Sequence, residues 1–164
     1  MLGLKVLVLT VLRHKASGRQ ICVATTHLKA RQGALLSTLR NEQGKDILNF
    51  LEERVPDDIP IILCGDFNAE PIEPVYRTIM DDARFQFDSA YRGEDGTEPA
   101  YTTWKIRGDG ECCHTIDYIF YSRRHFSVDR RLAFPTGEQI GVHRVPSMQY
   151  PSDHFSLVAD FRLN

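Results

Sequence analysis

Four short polar elements carry the residues able to do acid–base or metal-assisted chemistry: Thr26-His27, Gly65-Asp66-Phe67-Asn68, His114-Thr115-Ile116-Asp117 and Ser152-Asp153-His154. Each stands at the edge of a β-prone run. A hard divalent cation such as magnesium, with manganese as the alternative, takes oxygens from carboxylates and amides and keeps waters that a phosphate can displace. Asp66, Asn68 and Asp153 offer those oxygens. A carboxylate of the same set can deprotonate an attacking water, while protonated His27 or His154 stabilises charge on phosphoryl oxygens. Asp117 lies within an apolar run, where a buried carboxylate must be paired, and orienting the His154 imidazole is a use that suits it. Taken singly, Gly-Asp and Ser-Asp are also common turns. The functional reading therefore rests on their repetition.

The surrounding sequence predicts what must hold them. Residues 61–64, an apolar run between Pro60 and Gly65, read as a buried central strand. Gly65 then lets the chain turn, so that Asp66 and Asn68 leave at the carboxyl edge of the sheet, where open α/β sheets bind ligands. Residues 4–12 and 21–26, connected through Ser17-Gly18, predict a β-hairpin. Over 34–54, Leu35, Leu36, Leu39, Ile47, Leu48 and Leu51 recur at helical spacing, predicting one amphipathic helix weakened at Gly44 and finished before Pro56. Glu73-Pro74 opens a short helix through Met80. Further strands are expected over 101–104, 116–121, 126–132 and 155–161, a loop over 88–98, and an ordered loop or lid over 134–150. His14, His125 and His143 read as solvated, Trp104 as core, and Cys64 as a small buried apolar residue.

Composition narrows the class. With 164 residues, 42% hydrophobic and 26% charged, the chain fits one soluble globular domain, residues 1–164. No stretch approaches a membrane span. A net charge of −2 argues against broad adhesion to nucleic acid, leaving two local basic clusters, His27 with Lys29 and Arg31, and Lys105 with Arg107. Cys22, Cys64, Cys112 and Cys113 show no Cys-x-x-Cys spacing, so neither a zinc site nor a disulfide framework is expected, and a reducing compartment is. No strand is followed by Gly-x-Gly-x-x-Gly, which argues against a dinucleotide oxidoreductase.

Together, Thr26-His27-Leu28-Lys29-Ala30, Gly65-Asp66-Phe67-Asn68-Ala69, His114-Thr115-Ile116-Asp117-Tyr118-Ile119 and Pro151-Ser152-Asp153-His154-Phe155 resemble, in order and spacing, the exonuclease-endonuclease-phosphatase superfamily. The resemblance implies an α/β (α+β) fold of DNase I-like type, part of a two-sheet β-sandwich flanked by helices. It also implies magnesium-dependent phosphoester hydrolysis. It makes Asp66 the base, Asn68 a positioning and metal-shell residue, His154 the catalytic histidine supported by Asp117, Asp153 a neighbour of the metal, and His27 a phosphate contact. Tyr101 to Arg107, Glu138 to Gly141 and Tyr150 to His154 are similar to a branch related to the poly(A) deadenylases. In that branch the favoured substrate is NADP(H), whose 2′-phosphate is removed, and Lys29, Arg31, Lys105 and Arg107 would grip its phosphates. A 3′-exoribonuclease acting on poly(A) RNA is the second reading.

Family members also carry an amino-terminal half with a second sheet, an asparagine of the site and the glutamate that is the principal metal ligand. Neither Glu42 nor Glu70 lies in that glutamate's context. The resemblance therefore implies the carboxyl-terminal portion of such an enzyme, with weak magnesium affinity and a sheet face open to association with another chain. An inactive portion that only binds a partner is the third reading. A cytoplasmic setting is expected, a mitochondrial address belonging to a longer form.

Overall fold

The computed structural model describes residues 6–164. Leu4 and Lys5, which open the first expected strand, lie outside the described residues. In chain order the elements are β1 Leu7–Arg13, β2 Gln20–His27, α1 Ala34–Arg54, β3 Ile61–Asp66, α2 Pro74–Met80, β4 Phe87–Ser89, β5 Thr103–Arg107, β6 Gly110–His114, β7 Asp117–Ser122, β8 Phe126–Arg131, α3 Gly137–Ile140 and β9 Ala159–Leu163.

The apolar run at 61–64 forms the middle of a five-stranded sheet ordered β1-β2-β3-β7-β4. β1 and β2 form the expected antiparallel hairpin. β2 and β3 are parallel and are joined through α1, as parallel neighbours require a crossover. β7 returns antiparallel to β3. Alternation along the strands sends Cys22, Ala24, Ile61, Leu63, Tyr118 and Phe120 to one face, where Ile47, Leu48 and Leu51 of α1 and Val75 and Ile79 of α2 cover them. Ile62, Ile119 and Tyr121 point to the other face and meet Phe126, Val128 and Phe161 of the two-stranded β8–β9 ribbon. Helices, sheet and ribbon thus make the mixed α/β layering expected. The ribbon leaves part of its face uncovered: Val8 and Leu12 of the edge strand β1 are 57% and 52% exposed.

Gly44, expected to weaken α1, has a packing role as well: it lets α1 and α2 approach, because a Cβ there would lie 2.7 Å from Val75 Cγ2. Other expectations are corrected. The strand expected over 101–104 runs over Thr103–Arg107 and pairs with an unexpected strand, Gly110–His114. Gly108-Asp109 forms its two-residue turn, a hairpin signal present in the sequence. Part of the expected 88–98 loop belongs to β4, which pairs with β7. The last strand is Ala159–Leu163 rather than 155–161. Phe155 instead packs in a separate cluster with Ile140 and Val145, and the Val158 N–H donates to the Tyr91 hydroxyl rather than to a neighbouring strand, while the Val158 carbonyl still accepts the Leu132 N–H. His125 is half-buried rather than solvated. Cys64 is half-buried on the ribbon side of the sheet, and all four cysteines are free thiols.

Gly65, expected to turn the chain out of the sheet, instead stays paired within β3, and the chain leaves only after Asp66. The Gly65 φ is +145°, and a Cβ there would stand 2.0 Å from the Thr26 carbonyl oxygen. Gly65→Ala is expected to cost about 3 kcal/mol, as forced backbone strain beside an immovable carbonyl does. Urea titration measures it, and a loss under about 1 kcal/mol would show that the strands yield.

Candidate active site

Strand register brings three of the expected residues into one row. His27 pairs with Asp66 across β2 and β3, and Asp66 pairs with Asp117 across β3 and β7. In-register neighbours point to the same face. All three therefore project from the sheet face that the ribbon only partly covers, at the carboxyl ends of β2 and β3. His27 Nε2 lies 3.4 Å from Asp66 Oδ2. Asp66, Asp117 and His154 bring one ligand atom each within 4.8 Å of one another.

Each member is held from outside the row. After Asp66 the chain turns sharply: Asn68 has φ +49° and donates its N–H to Asp66 Oδ1 at 2.8 Å. The Asn68 amide nitrogen donates to the Leu28 carbonyl at 3.1 Å, which leaves its amide oxygen as the available donor for a cation. His154 Nδ1 donates to Asp117, at 2.9 Å to Oδ2 and 3.1 Å to Oδ1. Thr102, fully buried, donates its hydroxyl to Asp117 Oδ2 at 2.6 Å and accepts the N–H groups of Ile116 and Asp117. The Phe155 N–H donates to the Thr102 carbonyl, and the Thr103 hydroxyl donates to the Asp153 carbonyl. The chain at 153–155 thus hangs from residues 102 and 103.

Electrostatics differ across the cluster. Burial, then the negative charge of Asp117, raises the Asp66 pKa above its ordinary value, against the Asn68 N–H and the two imidazoles. The hydrogen bond that His154 donates to Asp117 raises the His154 pKa. A carboxylate whose pKa is raised is the stronger base, and an imidazole whose protonated form is favoured suits an anionic reaction centre. Asp66 and Asp117 stand at one end of an open groove of about 570 Å³, floored by Ile62, Cys64 and Ile119 and flanked by Phe155 and Leu157.

The remaining expected residues lie outside the cluster. Asp153 is tied to Lys105 at 2.7 Å, a bond that lowers its pKa, and its Oδ2 is 4.0 Å from His154 Nε2. The Lys105 ammonium is thereby engaged. Arg107 is exposed near the end of β5, and Lys29 and Arg31 are exposed just beyond β2. Thr102 escaped the sequence reading because a threonine in a β-prone run carries no chemical signal. Glu70 pairs with His114 at 3.1 Å, a contact that no spacing rule would find. Trp104, read as core, is half-buried, stacks 4.0 Å beneath the Arg144 guanidinium and donates its indole N–H to Glu111.

A DNase I-like sheet with an aspartate–histidine cluster at its strand ends defines a class, and the chain belongs to the endonuclease/exonuclease/phosphatase family, whose model matches residues 7–154. Within it the chain is similar to nocturnin. It is 53% identical to the Drosophila melanogaster protein over 93% of this chain and 27% of that one, and 50% identical to the Homo sapiens protein over 96% and 37%. The human nocturnin catalytic domain with bound sulfate anion superposes with a TM-score of 0.79 at 41% identity, covering 98% of this chain and 53% of that one. The chain thus spans well under half the length of these curated relatives. Among the described residues, no helix is long and apolar enough to cross a membrane.

The His154–Asp117 pair gives a pH signature. A histidine whose folded pKa is raised contributes stability that is complete below its unfolded value, about 6.5, and fades as pH rises through the folded value. The stability gap between the chain and Asp117→Asn is therefore expected to be widest near pH 6, about half a unit below the unfolded value, and to narrow toward alkaline pH. Urea titrations across that range measure it, with imidazole NMR showing the His154 pKa fall in the variant. An unmoved imidazole would contradict the pairing.

Proposed function

We propose that the chain carries the base and histidine side of a magnesium-dependent phosphoester hydrolase that removes the 2′-phosphate of NADP(H). The single observation that supports this reading most is the convergence of Asp66, Asp117 and His154 at the strand ends, in a chain that matches the endonuclease/exonuclease/phosphatase model. The donor set fits a divalent cation, magnesium or manganese: Asp66 and the amide oxygen of Asn68 would hold it with Asp153 nearby, all oxygen donors of the kind such ions prefer. When bound, such a cation neutralises phosphoryl oxygens.

The protein's own groups supply the rest. Asp66 accepts the proton of the attacking water, whose oxygen bonds to phosphorus as the bond to the ribose 2′-oxygen breaks, and that oxygen takes a proton from solvent water to become the 2′-hydroxyl. His154, whose protonated form Asp117 favours, stabilises the charge on the phosphoryl oxygens, and His27 contacts the phosphate from the neighbouring strand. Lys29, Arg31 and Arg107 supply cations for the remaining phosphates, and Lys105 joins them by leaving Asp153. The sulfate held by the human catalytic domain is in keeping with an anion site in this family. Overall charge of −2 favours a dinucleotide over a polyanionic poly(A) strand, which would need a continuous basic channel.

The test is phosphate release from NADPH with and without magnesium. It is run on the chain alone and on the chain joined to the part of the human nocturnin catalytic domain that lies outside the match. Magnesium-dependent release that falls by about 10²- to 10⁴-fold in Asp66→Ala is expected, larger in the joined form than in the chain alone. Shortening of poly(A) RNA with NADPH left intact would favour the exonuclease reading. No turnover in either form would favour a binding role.

A further inference from the structure

Arg40 lies in the second turn of α1 and is 0% exposed, an unusual place for a guanidinium. Its Nη1 donates to two carbonyls of the loop beyond β2, Lys29 at 3.1 Å and Arg31 at 2.8 Å. Nε and Nη2 donate to Glu73 Oε2 at 3.2 and 2.6 Å. One turn further along the same helix, Gln43, 4% exposed, accepts the Lys29 N–H at 3.1 Å. The loop is held at its start as well, since the Leu28 N–H donates to the Asp66 carbonyl at 2.9 Å and the Leu28 carbonyl accepts from Asn68. Arg31, a side chain with no intrinsic preference for positive φ, sits at φ +83°, a conformation that persists where its surroundings over-determine it.

A guanidinium and an amide buried at this cost are poor devices for stability alone, because an apolar pair of similar volume packs as well without desolvating a charge. What they do is fix the path of the residues that follow His27. With backbone groups of Lys29 and Arg31 turned inward onto Arg40 and Gln43, their exposed side chains are presented from a rigid base. Flexible cations lose entropy when they grip a phosphate, whereas a pre-set base removes part of that cost.

We infer that Arg40 and Gln43 are positioning residues that set the geometry of Lys29 and Arg31 for a substrate phosphate. This rests on the reading of Lys29 and Arg31 as phosphate contacts given above. Arg40→Lys keeps the positive charge but cannot span two carbonyls and Glu73 with one planar fork. Gln43→Met keeps the volume and deletes only the acceptor for the Lys29 N–H.

The experiment measures NADP⁺ affinity by calorimetry, below the thermal transition of every protein used. The proteins are the wild-type chain, Arg40→Lys, Gln43→Met, the Lys29→Ala/Arg31→Ala pair, and that pair with Gln43→Met added. The pair is expected to weaken binding about tenfold or more, and Arg40→Lys and Gln43→Met each about three- to tenfold. Adding Gln43→Met to the pair is expected to cost nothing further, since the groups it positions are already gone. Full additivity, or wild-type affinity in Arg40→Lys and Gln43→Met while the pair binds weakly, overturns the positioning role. Absent wild-type binding, or no loss in the pair, overturns instead the phosphate reading beneath it. Should Arg40→Lys not fold, Gln43→Met decides alone.

Discussion

The close approach of β3 to β2 at Gly65 is the constraint on which the rest of the site depends. With no side chain at that position, the backbone passes the Thr26 carbonyl at a distance that any Cβ would forbid. The parallel register of β2 and β3 then runs on to their last residues, so that His27 and Asp66 finish side by side. β7 continues the row antiparallel with Asp117. A shift of one residue in any of these strands would turn its polar group to the helix side, into a core of Phe67, Tyr118 and Phe120. The hydrophobic alternation that builds the core and the alignment of the chemical groups are thus one arrangement.

His154 arrives by a different route. It comes from the far end of the sequence on irregular chain, and Asp117 is its link to the sheet. Thr102 is the hinge of that link. Its hydroxyl fixes Asp117 while its carbonyl receives the Phe155 N–H, so one buried threonine sets both partners of the Asp117–His154 pair. Lys105 adds a charged tie through Asp153. The β5–β6 hairpin serves less as part of a sheet than as the support of the histidine.

Much of this was legible in the sequence, and the failures have a common cause. α1 was readable at its observed bounds because apolar spacing and Pro56 mark it, and β3 as far as Cys64 because Pro60 and Gly65 bracket a short apolar run, although the strand runs on through Gly65 to Asp66. Asp117 was nameable because a carboxylate inside an apolar run needs a partner, and Asp66 and His154 because polar elements recur at the ends of β-prone runs in the order of a known family. Arg40 was not, since a charged residue within a helix reads as solvent face, and its partner Glu73 lies 33 residues away. Thr102 and the Glu70–His114 contact fail likewise: their partners are set by tertiary folding, which local pattern does not encode. The strand expected at 155–161 starts later because the Phe155 N–H is held by the Thr102 carbonyl and the Val158 N–H by the Tyr91 hydroxyl, 67 residues away in sequence.

The most direct test of the account asks whether the row at the strand ends is a cation site. Manganese added in small amounts to the isotope-labelled chain broadens NMR signals near any ion it occupies. The account predicts loss of amide signals at Asp66, Asn68 and Asp117 and of the His154 imidazole before others, with all of them retained in Asp66→Ala. Broadening centred elsewhere, or unchanged by that substitution, would contradict it.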